Sequence, residues 1–345
     1  MKTTYLLLCL LGIGSVSGAG QTKQPQKIGD FIESTSYNEH RRNATRSLQY
    51  TPDGDDFVCI NGKNRFTRAL YGSHTAFRLE TSDRPVFAAY TKENPKHICF
   101  KLQTSGGTVA LDSTEHCESR YTAGRRSYSL SDPAFGGGSL SITTWALPDK
   151  EGAIWQFNAR NFKEFHPVLL ASISEIRNSK LNRNGDMGAD PADSFEAPLQ
   201  PQQLQSFPVQ IDGTLYMLLE NQELRTLTTA EGENLFKKAE AARSETASRI
   251  RIETPDPYFN TLGGTLAMAA DGIWDGEVWL HGAIGWRMPL SGWRAAYTGD
   301  VLGWHDRART HFNAYAASQV TEVPNTLPHP AQDSALHLAL SLIHI

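Results

Sequence analysis

From about Asp55 to Leu227 the apolar residues fall in short alternating or continuous runs, each closed by Gly, Pro, Asn or Asp. FVCI, TAFRLE, VFAAY, ICFKLQ, TVALD, SLSITTWAL, AIWQFNAR, FPVQI and TLYMLL all read as strands. The punctuation between them includes Asn61-Gly62, Gly106-Gly107, Gly136-Gly137-Gly138 and Asp212-Gly213. So many strands with no helical interlude leave few options beyond a large antiparallel β-sandwich over 55–227. The polar, Pro-rich stretch from Ser179 to Pro208 interrupts the rhythm and reads as a long loop.

At Thr228 the pattern changes. Thr228 with Glu231 forms a capping-box signature ahead of a run rich in Ala, Glu, Lys and Arg, so a linker helix is expected over 228–254, ended by Pro255 and Pro257. Phe259, Leu262, Leu266, Ala269, Ala270 and Ile273 then recur at spacings of three and four, predicting a second helix with an apolar face. A third is expected with Val301, His305, Ala308, Phe312 and Tyr315 on one side and Thr298 or Asp300 as cap.

This order matches a β-sandwich followed by the first helices of an incomplete (α/α)6 toroid over 255–340. Two or three helices cannot close a ring, so the 345 residues are expected to be a fragment. The last residues, 341–345, resemble translated adapter sequence and are expected to be an artefactual tail.

The first 20 residues carry Lys2, an apolar run from Tyr5 to Ile13 and then small residues, the pattern of a secretory signal peptide. The run is shorter than the roughly 20 residues a membrane span needs. Export without stable membrane insertion is therefore expected, with 21–54 an N-terminal extension. Cys59, Cys99 and Cys117 then remain, and an odd number allows at most one internal bridge; buried thiols are an equal expectation. The net charge of −4 is spread through interspersed acids and bases, which argues against a nucleic-acid partner. Neither a Gly-x-Ser-x-Gly nor a His-Glu-x-x-His motif is present. The acidic stretch Asn182 to Asp193 has Met187 where a calcium loop needs Gly, so no metal or other cofactor is expected.

Five of the seven tryptophans, Trp274, Trp279, Trp286, Trp293 and Trp304, lie in the stretch that joins the second and third helices. Interleaved with Asp275, Glu277, His281 and Arg294, they suit a glycan cleft, in which indole faces meet pyranose C–H faces and charged groups meet hydroxyls. The same residues also suit a Trp-rich helical core. Inverting glycoside hydrolysis needs a protonated carboxyl and a carboxylate roughly 6.5–9.5 Å apart. Asp271, Asp275, Glu277, Asp300 and Asp306 are available; Asp275 and Glu277, with His281, are the candidate catalytic groups. In the sandwich, DSTEHCESRYTAGRR reads as a charged loop whose His116, Arg120 and Tyr121 would suit a lyase, Arg neutralising a uronate carboxylate and His or Tyr acting as base.

Three stretches, NGKNRFTRALYG (61–72), LDSTEHCESRYTAGRR (111–126) and HGAIGWRMPLSGWRAAYTGDVLGWHDRARTHF (281–312), resemble a family of exported proteins of unassigned function from polysaccharide-degrading gut bacteria. That family is similar to six-hairpin (α/α)6-toroid glycosidases with an N-terminal β-sandwich, and some relatives are linked to lyase action on rhamnose-capped glucuronate. The resemblance implies a carbohydrate-active enzyme with a glycan substrate. A glycoside hydrolase is the leading expectation, a uronate lyase the second and a non-catalytic glycan-binding protein the third.

Overall fold

The computed structural model describes residues 50–62, 66–71, 77–91, 96–162, 166–175, 204–209, 213–280 and 296–317. The expected signal peptide, most of the N-terminal extension, the 179–203 part of the long loop and the terminal tail lie outside them.

Fifteen strands are described: β1 (Thr51–Asp53), β2 (Asp56–Ile60), β3 (Phe66–Tyr71), β4 (Phe77–Ser82), β5 (Val86–Thr91), β6 (Lys96–Thr104), β7 (Gly107–Ala110), β8 (His116–Thr122), β9 (Arg125–Ser131), β10 (Ser139–Ala146), β11 (Gly152–Arg160), β12 (Val168–Glu175), β13 (Leu204–Pro208), β14 (Thr214–Glu220) and β15 (Glu223–Leu227). They form an eight-stranded sheet, β1-β2-β8-β9-β10-β11-β14-β15, and a seven-stranded sheet, β13-β12-β6-β5-β4-β3 with β7 paired to β6. All the pairings are antiparallel.

Alternation decides which residues the sheets turn toward each other. On β6, Ile98, Phe100 and Leu102 are buried; on β11, Trp155 and Phe157 are. Phe87 and Phe100 of one sheet meet Trp155 of the other edge to face at 5.5 and 6.0 Å, the geometry that aligns positive ring edges with negative faces. Burying each such ring is worth roughly 1.5–3 kcal/mol.

The segment read as a charged loop is a hairpin. β8 and β9 pair from His116↔Ser131 to Thr122↔Arg125 around the turn Ala123-Gly124. Its hidden strand character lies in Cys117, Ser119 and Tyr121, which are buried while the charged residues between them face out. Arg126 on β9 is wholly buried: its Nε (3.1 Å) and Nη2 (2.7 Å) donate to the Ser82 carbonyl of β4, so a guanidinium ties one sheet to the other.

The helices are α1 (Thr229–Ala247), α2 (Pro257–Gly272) and α3 (His305–Ala317). The capping box stands as the sequence predicts: Thr228 Oγ1 accepts from Glu231 N while Glu231 Oε2 accepts from Thr228 N. Asp256 caps α2 by accepting from Tyr258 N at 2.8 Å. The predicted apolar face of α2 is rotated from the buried one. Thr261, Gly263, Ala267, Met268, Asp271 and Gly272 are buried, whereas Phe259 and Leu266 are exposed. Small residues are needed because a Cβ on Gly263 would stand 2.9 Å from the Ile250 carbonyl, and one on Gly272 within 2.3 Å of the Tyr71 ring. On α3 the buried positions are Ala308, His311 and Tyr315; Val301, His305 and Phe312, predicted for the packed side, are exposed. The architecture is thus mostly antiparallel sheet with a few helices; among the described residues no helix is long and apolar enough to cross a membrane.

α1 docks on the sandwich through an apolar cluster of Leu235, Phe236 and Ala239 against Trp145 and Tyr216, and through one partly buried carboxylate. Glu240 accepts from Trp145 Nε1 (2.8 Å), from Arg243 Nε (2.9 Å) and Nη2 (2.5 Å), and from Arg125 Nη1 (3.3 Å). Burial alone would raise its pKa, but these hydrogen bonds and the charges of Arg243 and Arg125 outweigh it and hold it below the usual carboxylate range. A depressed folded-state pKa contributes stability above the unfolded pKa, and that contribution is lost as pH falls through the folded value. Glu240→Ala is therefore expected to lower unfolding free energy by roughly 2–3 kcal/mol at pH 7. Urea titrations of both proteins at a series of pH values should show the gap closing below about pH 4; a gap independent of pH would assign it to packing.

Candidate cleft between the sandwich and the helices

The hairpin turn, α1, α2 and the approach to α3 enclose a cavity of about 210 Å³. Gly124, at φ +81, forms its sandwich-side lip, and the Met268 and Arg243 side chains approach it so closely that a Cβ would stand 2.6 and 2.9 Å from them.

Asp271, in the last turn of α2, faces this cavity with its side chain 11% exposed. Arg307 Nη1 donates to Oδ1 at 2.6 Å, while Oδ2 has no hydrogen bond among the described residues. Burial raises the Asp271 pKa and outweighs the charges of Arg307 and Arg249. Both guanidiniums lie over Trp304, Arg307 at 4.7 Å and Arg249 at 5.1 Å from the ring centroid. Arg249 also donates to the Leu302 carbonyl at 2.9 Å. Tyr71 and the exposed Glu245 line the same space.

The candidate residues from the sequence are spread over three settings. Trp304 lines the cavity. Trp274 and Trp279 pack with it in a buried cluster, Trp279 only 1% exposed and 4.6 Å from Trp274. Trp279 Nε1 donates to the Ala270 carbonyl and its backbone N–H to His311 Nδ1, each at 3.0 Å. The buried histidine of this region is thus His311, not His305, which is exposed and paired with Asp300 at 2.6 Å. Asp275 Oδ1 accepts from the backbone N–H groups of Glu277 (3.0 Å) and Val278 (2.7 Å), closing the turn that carries the Trp274↔Trp279 bridge; Glu277 is exposed.

His116, Arg120 and Tyr121 do not converge. On one strand Arg120 and Tyr121 point to opposite faces. Arg120 is held by Glu118, Asp53 and Asp56, at 2.5, 2.8 and 3.4 Å; Tyr121 is buried, and its hydroxyl accepts from Gly124 N at 3.2 Å; His116 is exposed at the far end of β8. His281, Trp286, Trp293 and Arg294 lie outside the described residues.

Asp271 had a sequence signal, a carboxyl at the end of an otherwise apolar helix, but only the fold buries it. Among the described residues no three His, Cys, Asp or Glu side chains form a metal-binding group. Cys59, Cys99 and Cys117 are free thiols, and burial pushes Cys99 and Cys117 up to about 12, which leaves them no thiolate at neutral pH.

These elements overlap a known domain family in part. Residues 95–250 match DUF4450, a domain of unknown function. The match takes in most strands of the two sheets and α1 with Arg243, Glu245 and Arg249, and it ends before Asp271, Trp304 and Arg307. No match is found among the curated proteins.

Proposed function

We propose that this protein is an exported carbohydrate-active enzyme, a glycoside hydrolase that binds its glycan in the cleft between the sandwich and the helices. In this reading α2 and α3 are opening helices of an (α/α)6 toroid, as the resemblance to six-hairpin glycosidases implies. The observation that carries it is Asp271: a nearly buried carboxyl with a raised pKa, one oxygen fixed by Arg307 and the other unengaged, in a cavity bordered by an indole. Burial that raises the pKa of a carboxyl favours its protonated form, the form that donates to a glycosidic oxygen. Glu245, an exposed carboxylate on the same cavity and 3.9 Å from Arg249 Nη2, takes the complementary role of activating water in this reading. Two carboxyls in contrasting environments can divide acid and base work.

A uronate lyase is the second reading, favoured by Arg243, Arg249, Arg307 and the Tyr71 phenol around the same space. Here Arg would neutralise the uronate carboxylate and Tyr71 would move the C5 proton. Incubating the protein with a panel of neutral and uronate-containing plant glycans separates the two. New reducing ends without absorbance from an unsaturated uronate are expected; that absorbance would establish the lyase instead, and the absence of any product would overturn both.

A further inference from the structure

A second cavity, of about 270 Å³, opens at the end of the sandwich, between the sheets and lined by Phe77, Ala89 and Lys96 of one and Leu219, Asn221, Gln222 and the neighbouring Glu151 of the other. Its floor is apolar, since Phe77, Ala89 and Leu219 are buried core residues. Its rim is polar. The side chains of Glu151, Asn221 and Gln222 make no hydrogen bond to any other described residue.

The turn that supplies two of these groups is strained. Glu220 pairs with Glu223, so Asn221 and Gln222 form a two-residue hairpin turn with φ of 51° and 66°. Turns of this kind place Gly at the second position, because a side chain in the left-handed region costs free energy that glycine avoids. Among the described residues Gln222 alone, apart from Gly and Asn, has a left-handed φ. Strain of this sort persists where the surroundings over-determine it, and Lys150 Nζ braces the turn at Glu220 Oε1 at 2.7 Å. The strained residue, Gln222, thus lines the cavity together with Asn221.

We propose that this cavity binds one ring of an uncharged, polyhydroxylated ligand, a neutral sugar unit, with Gln222 and Asn221 donating to and accepting from its hydroxyls above the apolar floor. Lys96 and Glu151 place one charge of each sign at the rim, which favours a neutral ligand over an ionic one. The cavity size suits a single pyranose. This inference stands apart from the cleft and does not depend on hydrolysis there.

The test is ligand-observed NMR on the whole chain with methyl glycosides of glucose, galactose, xylose and rhamnose, and of glucuronic acid as the charged control. At least one neutral glycoside is expected to bind with a millimolar Kd, and Gln222→Gly to weaken it at least tenfold while raising Tm by about 2–4 °C, since the strain is relieved. Asp271→Asn should leave this binding unchanged, separating it from the cleft. Binding of no neutral glycoside, binding unaffected by Gln222→Gly, loss of binding in Asp271→Asn, or a Tm that falls in Gln222→Gly would each overturn the proposal.

Discussion

Trp279→Ala is expected to destabilise the protein by roughly 3–5 kcal/mol, the range for truncating a large buried aromatic. The ring is 1% exposed, and it fills space up to the backbone: a Cβ on Gly299 would stand 2.0 Å from its Cη2. It touches Trp274 and lies 6.5 Å from Trp304 and 5.8 Å from His311, so its removal opens a cavity under α2 and α3 together. The indole N–H would leave the Ala270 carbonyl without its partner as well. Denaturant unfolding followed by tryptophan fluorescence measures the loss. A variant of unchanged stability that had lost only glycan affinity would place Trp279 on a sugar platform instead.

Asp271→Asn is expected to lower glycan turnover by about 10²–10⁴-fold, the range for loss of a general acid, with little change in fold because Asn is isosteric. The pH profile carries the sign. An acid whose pKa is raised by burial stays protonated to higher pH, so activity should fall as pH rises through that raised value, and the variant should lose this limb. Arg307→Lys supplies a control on positioning: Lys keeps the charge but not the planar donor set, so a shifted pH limb with a smaller loss of rate is expected. If Asp271→Asn retains full activity on the glycan the wild type cleaves, the carboxyl at the end of α2 is structural.

The Trp279 cluster and the proposed acid Asp271 are neighbouring parts of one unit. Tyr71 closes onto Gly272, α2 thereby presents Asp271 to the cleft, and Arg307 at the start of α3 fixes its first oxygen. Weakening the Trp cluster should therefore disturb Asp271 as well, which is why stability and turnover need separate measurement.

The short apolar runs of β2, β5, β6, β10, β11 and β14, alternating in some and continuous in others and each closed by turn residues, determined that this chain forms sheet, because strands that short leave no room for a helical period. Thr228 with Glu231 determined where α1 begins, since a capping box acts through adjacent backbone groups alone. What periodicity could not decide was which face of α2 and α3 would be covered. On α2, Phe259 and Leu266 have the apolar spacing, yet close approach to Ile250, Ala123 and Tyr71 selected the glycine- and alanine-bearing side, while α3 buries Ala308, His311 and Tyr315 and leaves Phe312 exposed. The same holds for the site. Trp274 and Trp304 mark an aromatic region in the sequence, but the split between core and cavity wall, and the choice of Asp271 over Asp275, came only when β8–β9, α1 and α2 met, because burial and the partners that shift a pKa are properties of the assembled fold.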